Sequence, residues 1–175
     1  MLSRTVSDMD PAAGTVTPTP TPLYRGVLHS SRTVVYLTAA LSRFAGYIHV
    51  AYVDSHLQEW WAYGAFFIGA ANLQVLFAAL ILRWPRWWLP YAGIGGNLVI
   101  IGMYVLTRTS GIPLGPHARV VEDAGATDWL TTAAQVGIVV ALLSMLDGRP
   151  RRWIVNGLLL LGALAWVLRL TGHLQ

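Results

Sequence analysis

The chain has 175 residues, of which 55% are hydrophobic and only 11% are Asp, Glu, Lys or Arg, with a formal net charge of +4 and no cysteine. An ordinary soluble domain carries about a quarter charged residues, so this composition, with a mean hydropathy of +0.52, points to an integral membrane protein. The absence of cysteine excludes disulfides, thiolate metal sites and iron–sulfur clusters, and the twelve basic residues, all arginine, are scattered rather than gathered into the patch a nucleic-acid binder needs.

Residues 1–31 are polar and contain the low-complexity run "TVTPTPTP" at 15–22. Alternating proline favours extended polyproline II and cannot build a core, so this segment is expected to be a disordered tail. It has neither an apolar h-region nor a cleavage site and does not read as a signal peptide.

Residues 32–175 read as one all-α transmembrane domain. Five apolar segments follow one another, at 33–53, 60–82, 87–106, 129–146 and 153–170. Each has the ~17–25 residues that a helix needs to cross the hydrocarbon core, whereas membrane strands would be shorter and alternating. The expectation is a bundle of five transmembrane helices.

Arginine placement orients the bundle. The link "RWPRWW" at 83–88 holds Arg83 and Arg86, "DGRPRR" at 147–152 holds Arg149, Arg151 and Arg152, and the tail adds Arg4, Arg25 and Arg32. These segments would face the cytoplasm, giving an N-in, C-out protein of the cell membrane. The opposite side receives Asp54, Glu59, Glu122, Asp123 and Asp128, five of the eight acids. Tryptophans mark both edges: Trp84, Trp87, Trp88 and Trp153 inside, and Trp60, Trp61 and Trp129 outside.

The longest link, residues 107–126, reads "TRTSGIPLGPHARVVEDAGA". Its glycines and prolines rule out a continuous helix, and its length suits a lid or pocket wall that would carry Arg108, His117 and Glu122; the alternative is a turn that merely returns the chain to the membrane.

The stretch "IHVAYVDSHLQEWWAYG" at 48–64 gathers two histidines, two carboxylates, two tryptophans and two tyrosines at the outer mouth. Four of the five histidines fall on that side: His49, His56, His117 and His173. Steps of three and four align Glu59, Tyr63, Phe66, Ala70 and Gln74 on the second segment. His56 joins them if that helix starts early. The same spacing aligns Asn97, Tyr104 and Arg108 on the third segment, Asp128, Thr131, Thr132 and Gln135 on the fourth, and Trp166, Arg169 and His173 on the fifth. Polar residues facing lipid are costly, so these stripes are expected to face one another around an outward-opening polar pocket.

Arg43 lies about ten residues from the inner end of the first segment, ~15 Å deep. Its expected partners there are the amides of Asn72, Gln74, Asn97 or Gln135, or an anionic head group; with the first helix shifted inward by a turn, it snorkels instead.

Neutral imidazole with carboxylate suits zinc, copper(II), iron or manganese. His49, His56 and Glu59 form the candidate core of a divalent-metal site, with Glu122, Asp123, Asp128, His117 or His173 completing it. The competing explanation is a solvated rim, the ordinary way to end an apolar helix in water. A b-type haem is a further option, with His49 and either His173 or His117 as axial ligands. Catalysis finds little support: no G-x-S-x-G elbow is present, and "GIGGN" at 93–97 sits inside an apolar span, where small residues serve close helix approach rather than phosphate binding.

"HLQEWWAYGAFF" from His56, the later Gln74 and "RTSGIPLGP" from Arg108, followed by an acidic patch, resemble a group of small polytopic membrane proteins of high-GC Gram-positive bacteria. The resemblance spans about residues 49–146, puts weight on His56, Glu59, Arg108, Gly115 and Glu122, and implies no activity. The expectation is a protein that binds a metal ion or a small polar ligand in an outward-facing pocket, with Arg108 orienting an anionic group or pairing with one of the acids. The rivals are an accessory subunit of a larger membrane complex, through other subunits or self-association, and a small transporter. No comparable polar stripe starts from the cytoplasmic end, which counts against transport.

Overall fold

The computed structural model describes residues 32–171, and the tail expectation for residues 1–31 lies outside them, as does His173. Among the described residues the chain is all-helical, with six helices and no strand: α1 (Arg32–Ala51), α2 (Val53–Glu59), α3 (Trp61–Arg83), α4 (Leu89–Thr109), α5 (Ala126–Ser144) and α6 (Gly148–Leu170). Four of them, α1, α3, α4 and α5, are long and apolar enough to cross a membrane, at 20, 23, 21 and 19 residues. Their outward faces carry side chains such as Leu73, Val99 and Val140, each at least 60% exposed. So much open apolar surface is the pattern of a chain solvated by lipid.

The helices end where the expected segments end, to within a few residues, and their boundaries have local causes. Pro90 sits in the first turn of α4, where its missing N–H is not needed. Two breaks fall at the junction of the first two expected segments. Tyr52 (φ −103°, ψ 1°) ends α1 and Trp60 (φ −166°, ψ 137°) adopts an extended backbone between α2 and α3. No continuous helix therefore carries His49 to His56, or His56 and Glu59 to Tyr63. The face that an unbroken or early-starting helix would have given them is replaced by a bent connection.

The inner part of the bundle is a dry core of Ala39, Ala78, Ile81, Ile94, Ile138 and Leu142, contributed by α1, α3, α4 and α5. Small residues set the approach of the helices. A methyl on Gly46 of α1 would stand 3.2 Å from Val75 and 3.3 Å from the Ala71 carbonyl of α3. Gly93 of α4 is pressed on by Phe77 and Leu142, whereas Gly95 and Gly96 face open space. Close helix approach at "GIGGN" thus rests on one of its three glycines.

One layer above that core a polar chain joins three helices. The Ser42 hydroxyl of α1 reaches the Gln74 carbonyl of α3 at 2.8 Å and also the Gln74 side-chain oxygen. Gln74 Nε2 donates to Asn97 Oδ1 of α4 at 3.1 Å, and Asn97 Nδ2 donates to the Gly93 carbonyl at 2.8 Å. All three side chains are buried. Satisfied in this way, polar groups inside a membrane bundle act as interhelical ties.

Helix α6 is different. Among the described residues Ile154 reaches the core cluster, but Trp153, Leu160 and Trp166 are 77%, 71% and 65% exposed. It is 23 residues long and includes the fifth expected segment.

Candidate functional site

The chain directions bring the C-terminal ends of α1 and α4 together with the N-terminal ends of α3 and α5, and a cavity of about 290 Å³ opens at that end of the bundle. Its floor is built by α1 and α5. His49, 5% exposed, has its Nε2 3.2 Å from Gln135 Nε2, and Gln135 is 1% exposed. On the other side of the ring, Nδ1 is a buried nitrogen with no hydrogen-bond partner.

One wall is aromatic because of the breaks at Tyr52 and Trp60. Turning the chain there lets α2 lie against α3, so that His56 stacks on Phe67 with ring centroids 3.8 Å apart while its Nδ1 is held 2.8 Å from the Tyr52 carbonyl. His49 meets the same phenyl ring edge-on at 5.5 Å. Trp60 packs at right angles on Tyr63, 5.1 Å away. The Tyr52 hydroxyl donates to Thr127 of α5 at 3.0 Å and closes that side.

The connection after α4 folds back against Trp60 and Tyr63 and walls the cavity there. Gly111 (φ 69°), Gly115 (φ 91°) and Arg119 (φ 62°) take the left-handed backbone that its tight turns demand. Tyr63 Oη donates to the Leu114 carbonyl at 2.8 Å, the Glu122 amide to the Thr107 carbonyl at 3.1 Å, and the Arg119 amide to the Ile112 carbonyl at 2.8 Å. Ile112, Leu114 and Glu122 thereby line the cavity.

Arg108 anchors this wall. One terminal nitrogen donates to Glu122 at 2.6 Å and the other to Asp128 at 2.8 Å, while the guanidinium carbon lies 5.3 Å from the centre of the Tyr104 ring. Asp128 Oδ2 also accepts the Gly125 amide at 2.9 Å, which ties the start of α5 to the same charge. Of the two options read for Arg108, pairing with the acids is the one found.

The expected site residues divide accordingly. His49, His56, Tyr63, Tyr104, Arg108, Thr131 and Gln135 line the cavity together with Glu122 and Asp128. Gln74 and Asn97 do not: they are buried in the polar chain with Ser42. Glu59 and His117 are exposed and stand outside the cavity; Glu59 ends α2 before the chain turns. Arg43 is exposed on the outer face of α1 rather than lining the pocket. Of the amides expected to meet it, Asn72 bonds to its own helix at Ile68 and the other three bond within the bundle. The Arg169 side chain and His173 lie outside the description.

The expected metal centre finds no ligand set among the described residues: no three of their His, Asp and Glu side chains come together to hold an ion. His49 faces Gln135, His56 is held by a carbonyl, and the two acids meant to complete the site are bound to Arg108. The haem pair His49–His117 is not brought together, since His49 lines the cavity and His117 stands exposed outside it, and the alternative ligand His173 lies outside the described residues.

The cavity also contains residues that spacing rules did not select, among them Tyr52, Trp60, Phe67, Ile112 and Leu114. The signal for Trp60 and Tyr63 was present in their three-residue step. Nothing in the sequence pattern marks Ile112 and Leu114.

The fold and cavity together define a helical bundle of membrane-spanning type with a ligand-sized recess at one end. Compared with protein-family models, curated proteins and solved structures, the chain gives no match, so its functional reading rests on its own geometry.

Proposed function

We propose that this chain is a multi-pass protein of a bacterial cytoplasmic membrane that binds a small organic molecule in a cavity open to the extracytoplasmic side. In this reading α6 is a fifth span, the N-terminus is cytoplasmic, and the arginine-rich links at 83–88 and 147–152 lie inside, as charge bias dictates. The acid-rich mouth with the 107–126 connection lies outside.

The observation that carries the binding role is His49. It lines the cavity, is 5% exposed, and has a ring nitrogen without a partner. A buried polar nitrogen left unpaired is costly and is kept where a ligand or a catalytic task uses it. A mainly apolar recess with a few convergent polar groups is the usual form of a small-molecule site, and about 290 Å³ lies just under the roughly 300–1,000 Å³ range of such sites.

The test is native mass spectrometry of full-length protein extracted gently from its own membranes, beside Ala62→Trp, which fills the cavity. A small molecule that leaves the wild type on activation and is missing from the folded variant is the expected result. A wild type that carries nothing and is not stabilised by any member of a chemically broad small-molecule library would overturn the reading.

A second reading, an accessory subunit, is favoured by the bare flank of α6. Under it, a photocrosslinker at Leu160 would couple to another protein in the membrane; crosslinks to lipid alone would remove it.

A further inference from the structure

We infer that the ligand of this cavity is a small organic monocation, an amine or quaternary ammonium, held on aromatic faces beneath the Glu122–Arg108–Asp128 group. The inference rests on the small-molecule reading above and adds the chemical class.

The charge balance comes first. Arg108 is the one guanidinium among the lining residues, and both of its terminal nitrogens are already spent on carboxylates. One cation against two anions leaves the group with a formal excess of one negative charge. Arg108 Nε is buried without a partner, but an anionic ligand that met it would stand beside two carboxylates already bound to the same guanidinium and be repelled by their excess charge. A cation meets no such repulsion, and each carboxylate has one oxygen outside the Arg108 bridge: Glu122 binds through Oε2 and Asp128 through Oδ2.

The surroundings point the same way. The segments at this end of the bundle carry Asp54, Glu59, Glu122, Asp123 and Asp128 against Arg108 and Arg119. A recess with low-dielectric walls beneath a surface of net negative charge concentrates cations.

The walls supply the recognition chemistry. Trp60, Tyr63, Phe66, Phe67 and Tyr104 line the cavity, and aromatic faces attract cations through the ring quadrupole, most strongly when both are desolvated. Tyr104 already holds the Arg108 guanidinium in this way. A trimethylammonium or alkylammonium head is small enough for about 290 Å³ and needs no directional hydrogen bonds from these rings.

The experiment measures binding to the full chain in dodecyl maltoside by equilibrium dialysis. Its probes are choline and benzyltrimethylammonium as cations, 3,3-dimethylbutanol as the neutral isostere of choline, and benzoate as an anion. Saturable cation binding is expected, with the isostere about tenfold or more weaker. Glu122→Gln, which removes one negative charge from a half-exposed side chain, should weaken choline about tenfold. Phe66→Leu should weaken choline more than dimethylbutanol. If Glu122→Gln fails to fold, the isostere ratio and Phe66→Leu decide.

Dimethylbutanol or benzoate binding as tightly as choline would overturn the cation class while leaving the small-molecule reading intact. Failure of every probe on folded wild type would also overturn it, and the co-purification result then judges the cavity separately.

Discussion

His49 and Gln135, 86 positions apart in the chain, meet ring nitrogen to amide at 3.2 Å and tie α1 to α5 at the cavity floor. The tie is buried at both ends. Removing one partner leaves the other desolvated and unpaired, whereas removing both is far cheaper. Gln135→Leu is therefore expected to destabilise the bundle by about 1–2 kcal/mol. The double variant His49→Phe/Gln135→Leu should recover much of that loss. Unfolding in detergent reads both, and a Gln135→Leu protein as stable as wild type would mean that the contact holds nothing.

The two amides of α3 should respond in opposite ways. Gln74→Leu strips Asn97 of its donor inside the bundle and is expected to cost about 1 kcal/mol. Asn72 is exposed and bonds only within α3, at Ile68, so Asn72→Leu should be neutral or stabilising in a lipid-like solvent. Equal effects from the two changes would contradict the burial pattern.

Gly115 allows no side chain. Its φ of 91° is left-handed, and a Cβ there would stand 2.6 Å from Tyr63 Oη and 2.8 Å from Trp60. Gly115→Ala should strain the loop by about 1–3 kcal/mol and push it off the cavity wall. Faster tryptic cleavage after Arg119 reads the displacement; an unchanged rate means that the wall has absorbed the methyl.

The two carboxylates on Arg108 are not equivalent. Asp128 holds both the guanidinium and the Gly125 amide, and Glu122 holds the guanidinium alone from a half-exposed position. Asp128→Asn is expected to cost about 1–2 kcal/mol, against less than about 1 kcal/mol for Glu122→Gln. The Glu122 contribution should also fade with added salt. The reverse order in a pair of melting curves would refute this assignment.

Orientation can be read cleanly because the chain has no native cysteine. For the proposed N-in, C-out arrangement, Ala118→Cys should react with a membrane-impermeant maleimide on intact cells, and Pro85→Cys only after permeabilisation. The opposite labelling would invert the protein and place the cavity on the cytoplasmic side.

Much of the helical architecture was legible because apolar segments of membrane length leave a strong one-dimensional signal. The resulting helices begin and end close to the expected limits. The pocket end was legible in part: Tyr63, Tyr104, Arg108, Thr131 and Gln135 share helical spacing and do meet. Spacing failed wherever a helix was not continuous. The extended residue Trp60 and the turn at Tyr52 rotate Glu59 away, and no hydropathy pattern encodes those two dihedral settings. For Arg43 the inward amides, an anionic head group and snorkelling were all open, and its exposure on α1 removes the first. Gln74 and Asn97 did turn inward, but they satisfy each other, which spacing alone cannot distinguish from lining a cavity.

The seven-residue α2 has a consequence for assembly. It folds His56 onto Phe67 and tucks Leu57 under Gly64, so α1, α2 and α3 form one wall from a continuous stretch of chain. That wall can take shape as soon as the first two long helices are in the bilayer, at little loop-closure cost. The recess itself is completed only when α4 and α5 bring Arg108, Asp128 and Gln135 to it. In a stepwise insertion, ligand affinity would therefore be the last property the chain acquires.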